Sequence, residues 1–155
     1  TNPCGAKRQI IGVYDKKLLN TFSTVAKNLE MEHVMVVHGD DGLDEISISG
    51  PTQISEYKNY KIEEYTISPQ EFGITTSPFE EISAQSSEQS LRMVQEAFSG
   101  EQSAVQDMIA LNAGAGLYIA RKVDSIPDGV ELAFTLMNNG KAADKLAAYV
   151  RVSNS

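Results

Sequence analysis

Gln9-Ile10-Ile11-Gly12-Val13-Tyr14 is apolar and β-branched with little alternation, the pattern of a strand buried on both faces. Asp15 follows as an N-cap. From Lys16 to Met31 the apolar residues Leu18, Leu19, Phe22, Val25, Ala26 and Leu29 recur at three- and four-residue spacing, so one face of a helix is apolar. His33 to Val37 is a second buried strand. Strand, helix and strand within about thirty residues form a βαβ unit, which demands two parallel strands joined by a right-handed crossover. That commits the chain to an α/β sheet.

After the second strand the pattern changes. Ile46-Ser47-Ile48-Ser49 alternates like a strand, and Gly50-Pro51-Thr52 breaks it. Ile54 to Tyr57 and Ile62 to Ile67 are short alternating runs around Lys58-Asn59-Tyr60-Lys61, an antiparallel hairpin. Pro69 to Pro78 has no period and reads as a loop. The remainder is helical. Ser86 and Gln89 have capping-box spacing, Leu91, Val94 and Phe98 share a face, and Gly100 supplies the stop. Ala104 to Val123 is apolar almost all round, a buried helix. Gly114 and Gly116 inside it cost about 1 kcal/mol each relative to Ala, which implies a close neighbour there. Pro127 opens another helix with Val130, Ala133, Phe134 and Met137 on its face; Asn138-Asn139-Gly140 ends it, and Lys141 to Val150 makes the last. Ser153-Asn154-Ser155 is expected to fray. The expected architecture is α/β over residues 1–155 as one domain: a mixed, mostly parallel sheet with an antiparallel hairpin addition, flanked by helices.

The chemistry concentrates where the second strand ends, in Val37-His38-Gly39-Asp40-Asp41-Gly42-Leu43-Asp44-Glu45-Ile46-Ser47. Four carboxylates fall within residues 40–45, with Gly39 and Gly42 to let the backbone turn. A strand end carrying hard oxygen ligands is where an α/β sheet places a site, although a solvated acidic turn would read the same. The 155 residues hold one cysteine, Cys4, which excludes an internal disulfide and suits a reducing cytoplasm. The net charge of -8 argues against a nucleic-acid backbone as partner, and no apolar run is long enough to span a membrane. Thr1-Asn2-Pro3 running straight into a strand reads as the interior of a longer protein.

The chain resembles the C-terminal half of the anthranilate phosphoribosyltransferase family. Thr1-Asn2-Pro3 is similar to the end of that family's Gly-Pro-Leu-x-Asn-Pro segment, and Arg8-Gln9-x-x-Gly12-Val13-Tyr14 follows at the family's spacing. Val37-His38-Gly39-x-Asp41-Gly42-Leu43-Asp44-Glu45-Ile46-Ser47 is the most specific stretch. Gly50-Pro51-Thr52, Pro69-x-x-Phe72-Gly73, Leu111-Asn112-Ala113 and Gly140-Lys141-Ala142 come after it in order. The resemblance implies the C-terminal part of a larger α/β domain. It also implies transfer of phosphoribose from phosphoribosyl pyrophosphate to anthranilate with Mg2+ as cofactor, in a homodimeric cytoplasmic enzyme of tryptophan biosynthesis.

Under this resemblance Asp44 and Glu45 hold the metal. Asp40 stays solvated, Asp41 is solvated or caps the turn, and His38 reads as a hydrogen-bonded strand-end histidine rather than a catalytic group. Asn112 is expected to satisfy buried backbone. No catalytic residue is assigned within the chain, and its substrate-binding residues are not identified. The family's glycine-rich pyrophosphate loop, its Lys-His-Gly-Asn segment, its acceptor-binding arginine and its helical dimerisation domain have no counterpart here, so the chain alone should be inactive. Three other readings compete. Half of a pyrimidine nucleoside phosphorylase shares the fold, but the Asp-Gly-Leu-Asp-Glu motif suits pyrophosphate chemistry. A non-catalytic relative binding nucleic acid is opposed by the acidic charge. A calcium loop is opposed by spacing, since residues 40–45 lack alternate-position oxygens.

Overall fold

A computed structural model describes residues 4–154; the expectations for Thr1-Asn2-Pro3 and Ser155 lie outside the described residues. The strands are β1 (Arg8–Gly12), β2 (His33–Gly39), β3 (Thr52–Lys58) and β4 (Lys61–Ile67). The helices are α1 (Leu19–Asn28), α2 (Ser87–Ala97), α3 (Ala104–Ile119), α4 (Ile126–Asn138) and α5 (Lys141–Ser153). The strands form one sheet in the order β1-β2-β3-β4.

β1 and β2 are parallel, with Arg8 opposite His33 and Gly12 opposite Val37, as the crossover helix requires. β3 runs antiparallel to β2, with Gly39 opposite Thr52, and β4 antiparallel to β3. The sheet is therefore mixed with a hairpin addition, but one pairing is parallel and two are antiparallel, against the expected parallel majority. The reason is the link after Gly39, which contains no helix that could carry the chain back for a parallel return. Asn59 and Tyr60 both take positive φ (50° and 65°), making the two-residue hairpin turn.

β2 is buried along its whole length and its side chains alternate between two cores. Val34 and Val36 join Val13, Leu19, Ala26 and Tyr57 beneath α1. Met35 and Val37 join Ile54, Leu111, Ala115, Val130 and Met137 beneath α3 and α4. Sheet and helices thus stack in three layers, with β2 central.

Several boundaries differ from the sequence expectation. The first helix starts as one 3-10 turn, Lys16–Leu18, capped by Asp15, whose Oδ1 accepts from Lys17 N–H at 2.9 Å. It ends at Asn28 because Glu30 takes φ 50° and Met31 N–H turns back to the Ala26 carbonyl. Pro69–Phe72 forms a short 3-10 turn, closed by Glu71 accepting from Ser68 N–H at 2.7 Å. At α2, Ser86 Oγ accepts from Gln89 N–H, but the Gln89 side chain takes Gln85 N–H, one residue earlier than a capping box would. Leu91 is half-exposed, while Phe98 packs on the core.

Ile46–Ser49 is not a strand. Ile46 and Ile48 lie in the core, but Ser47 between them is equally buried, so the apolar/polar alternation of the sequence marks no exposed face. The backbone of this stretch is satisfied outside any ladder: Ser47 N–H by Thr52 Oγ1, Ser49 N–H by Ser47 Oγ, and the Ile48 carbonyl by Ser77 N–H.

The glycines of α3 separate in role. A Cβ at Gly114 would lie 2.5 Å from Val130 N, and one at Gly129 would lie 2.2 Å from the Gly114 carbonyl oxygen. α3 and α4 therefore cross with backbones in contact. Around Gly116 there is open space, so the close neighbour expected at both positions exists at Gly114.

Candidate active site

β1 and β2 run parallel, and their C-terminal ends lie side by side at Gly12 and Val37. The acidic turn rises from that end of the sheet, the edge where parallel strands deliver ligands to a site. It is tightly built. Gly39 N–H donates to the Leu43 carbonyl at 2.8 Å, Gly42 N–H to the Gly39 carbonyl at 2.9 Å, and Asp40 N–H to the Pro51 carbonyl at 2.9 Å. Gly42 has φ 94°, a conformation that a side chain would strain.

Asp41 caps this turn. Its Oδ1 accepts from Leu43 N–H at 3.2 Å and its Oδ2 from Ser47 Oγ at 2.5 Å. Of the two readings open for Asp41, capping is the one its contacts support. Asp40 is exposed and accepts from Gln53 Nε2 at 3.2 Å. His38 is buried, and its Nδ1 lies 2.8 Å from the Val13 carbonyl oxygen, which can only accept. Nδ1 therefore carries a proton, and His38 ties the ends of β1 and β2 together. That is the structural role expected of it.

Asp44 and Glu45 are both exposed, and among the described residues neither carboxylate has a hydrogen bond or ion pair. Their backbone is held from two sides. A Cβ on Gly12 would stand 1.6 Å from the Asp44 carbonyl oxygen, so the end of β1 presses directly against it. On the other side Asn112 Oδ1 accepts from Ile46 N–H at 3.0 Å and Asn112 Nδ2 donates to the Ile46 carbonyl at 2.8 Å. Asn112 thus satisfies buried backbone, as expected from its place in an apolar helix. Gly12 and Thr52 escaped the sequence reading as parts of the site. A glycine ending an apolar strand run is the signal available for Gly12, and none exists for Thr52.

The donor set fits magnesium. No group of three or more His, Cys, Asp or Glu among the described residues could enclose an ion. Two adjacent exposed carboxylates with unshared oxygens are what magnesium uses when it keeps waters and takes its other ligands from substrate phosphates.

A second polar cluster lies at the opposite end of β2, about 20 Å along the strand. Glu56 Oε1 accepts from His33 Nε2 at 2.5 Å and from Tyr118 OH at 2.9 Å, and its Oε2 from Tyr65 OH at 2.6 Å. Lys58 Nζ donates to Tyr118 OH at 2.9 Å and sits 4.6 Å from the centre of its ring. Burial pushes the Glu56 carboxyl up, but the hydrogen bonds from His33, Tyr65 and Tyr118 outweigh it and hold the group below the usual carboxylate range. Burial, together with the bond to Glu56, pushes the Tyr65 hydroxyl well up. The cluster joins β2, β3, β4 and α3. It left no trace in the sequence because its members are scattered from residue 33 to residue 118.

The chain that builds this sheet and turn matches one family of transferases. The glycosyl transferase family, a/b domain, matches residues 1–143, and the chain belongs to that family. More particularly, it is similar to the anthranilate phosphoribosyltransferase of Halorhodospira halophila, 43% identical over 150 residues, which are 97% of this chain and 44% of that protein. It is 40% identical over 154 residues to the same enzyme of Nitrosomonas eutropha, covering 99% of this chain and 45% of that one. The crystal structure of anthranilate phosphoribosyltransferase from Thermus thermophilus superposes with a TM-score of 0.88 at 30% identity, over 100% of this chain and 46% of that one. The yeast enzyme in complex with PRPP and Mg shares the fold, with a TM-score of 0.81 at 22% identity. The chain spans less than half the length of the curated relatives it matches.

Proposed function

We propose that the chain forms one wall of the active site of a magnesium-dependent transferase that moves phosphoribose from phosphoribosyl pyrophosphate to anthranilate in tryptophan biosynthesis. Asp44 and Glu45 are the metal-binding pair. The observation that carries this reading is that pair itself: two unpartnered carboxylates on a pinned backbone at the ends of parallel strands. The identity of 43% to an enzyme of that name supports the substrates.

The reaction breaks the bond between the sugar carbon and the pyrophosphate oxygen and forms one to the anthranilate nitrogen. Magnesium, when bound, offsets the charge gathering on the departing pyrophosphate. The chain's own residues supply direction. Gly12 and Asn112 fix the path of the backbone through residues 44–46, so both carboxylates leave the turn on a set course. Asp41 and Ser47 close the turn behind them, and His38 locks the two strand ends on which it stands. In this reading the pyrophosphate loop and the acceptor-binding arginine, which the resemblance implies and this chain lacks, come from the part of the relatives' length that this chain does not match. The intact enzyme is a cytoplasmic homodimer in this reading. No described helix is long and apolar enough to cross a membrane.

The test uses the natural protein that carries this chain, with anthranilate consumption followed by its fluorescence. Transfer should require Mg2+. Asp44→Asn combined with Glu45→Gln should lower turnover by about 100-fold or more, the scale of losing a major electrostatic stabiliser, and alter the Mg2+ dependence. Near-normal turnover with an unchanged Mg2+ dependence would remove the pair from the mechanism.

A further inference from the structure

We infer that Asn112 is a positioning residue for Asp44 and Glu45, acting through the backbone of Ile46; the inference rests on the metal-binding role proposed above for that pair. Asn112 stands 66 residues away in sequence, on α3, and reaches both backbone groups of Ile46. A primary amide alone among side chains of this size offers an acceptor and a donor side by side, as a neighbouring strand would. A carboxylate would lack the donor. The Asn112 amide is itself fixed, because Nδ2 also donates to the Met108 carbonyl at 3.1 Å within α3.

The Ile46 side chain is 1% exposed in the core below, so this residue is held through backbone and side chain together. Glu45 is the next residue back, one Cα–Cα step of about 3.8 Å from that anchor. Asp44 follows, its carbonyl against Gly12. Since neither carboxylate has a partner of its own among the described residues, their direction is inherited from this backbone. Two residues beyond Asn112, Gly114 lies against Gly129 and Val130, which fixes the height of α3 and therefore of the amide. The positioning chain runs from the α3–α4 crossing through Asn112 and Ile46 to the carboxylates.

The test compares Asn112→Ser and Asn112→Leu in the natural protein with the Asp44→Asn, Glu45→Gln double variant. Half-saturating Mg2+ should rise by about 10-fold or more in both Asn112 variants, the usual scale for losing a group that orients a metal ligand. Exchange of the Ile46 amide hydrogen, read without metal or substrate, should accelerate in both. An unchanged Mg2+ dependence in a folded Asn112 variant, beside a shifted one in the double variant, would overturn the positioning role and leave the metal site standing. An unchanged dependence in the double variant would overturn the metal site, and this inference with it. If neither Asn112 variant folds, the unmodified protein decides. An Ile46 amide that exchanges as fast as an open turn amide would overturn the clamp, and strong protection would support it.

Discussion

Gly12 and Asp44 meet with no room for a side chain between them: a Cβ on Gly12 would sit 1.6 Å from the Asp44 carbonyl oxygen. The last residue of β1 thus forms the seat of the acidic turn. Gly12→Ala must push that turn off the strand end. The obstacle is backbone, so the expected loss is about 1–3 kcal/mol of folding stability, at the upper end where the neighbour cannot yield. Urea unfolding of the variant reads it, and a midpoint equal to that of the unmodified chain would show that the turn moves freely.

The two glycines of α3 should respond in opposite directions. Gly114→Ala places a methyl 2.5 Å from Val130 N and should destabilise by about 1–3 kcal/mol. Gly116→Ala enters open space in a helix interior and should stabilise by about 0.5–1 kcal/mol. Thermal melts of the two variants side by side check the difference in sign.

Acid should find the Glu56 cluster. Its carboxyl is held below its ordinary value of 4.5 in the folded chain, so it binds fewer protons there than when unfolded. The stability it contributes is present above that value and is lost as pH falls through the folded one. Tyr65→Phe removes the donor to Oε2. It should cost about 1–2 kcal/mol at neutral pH and flatten the acid limb, because the folded carboxyl then lies nearer its unfolded value. Unfolding free energies from neutral pH down to below 4.5 measure both effects. An unaltered slope would mean that Tyr65 does not tune Glu56.

The 155-residue chain alone should neither catalyse transfer nor stay strictly monomeric. Catalysis of this kind needs groups held together in register, and the chain spans less than half of the relatives it matches. β1 is an edge of the described sheet. Beside it Ile11, Phe22, Val25, Leu29 and Met31 line a groove of about 270 Å³. Unpaired edges beside apolar surface recruit further chains. Sedimentation at rising concentration reads the association, and a single monomeric species throughout would count against it.

The βαβ unit was legible because β2, covered on both faces, is continuously apolar and the crossover helix shows a stripe. β1 carries the same apolar run but lies only half-buried at the sheet edge, so its reading as a strand buried on both faces does not hold. The hairpin was legible from two short runs set close on either side of one polar break. Ile46–Ser49 misled because alternation of residue type is neither alternating burial nor ladder bonding: Ser47 is buried beside Ile46 and Ile48, and none of the four lies in a strand. The acidic turn could be located from its glycines and carboxylates. Asn112 could be read as satisfying buried backbone, but that it, Gly12 and Thr52 all serve this turn is set by the tertiary fold. The Glu56 cluster was invisible for a related reason: hydrogen-bond partners on four elements leave no period to read.

The clamp of Asn112 on Ile46 also orders events in time. Its partners are 66 residues apart, whereas β2, β3 and β4 pair with neighbouring stretches of chain. Contacts of long sequence separation carry the larger loop-closure cost and tend to come late. The turn therefore acquires its final shape when α3 docks, after the sheet that bears it. A substitution at Asn112 should accordingly leave the refolding rate nearly unchanged and appear mainly in faster unfolding.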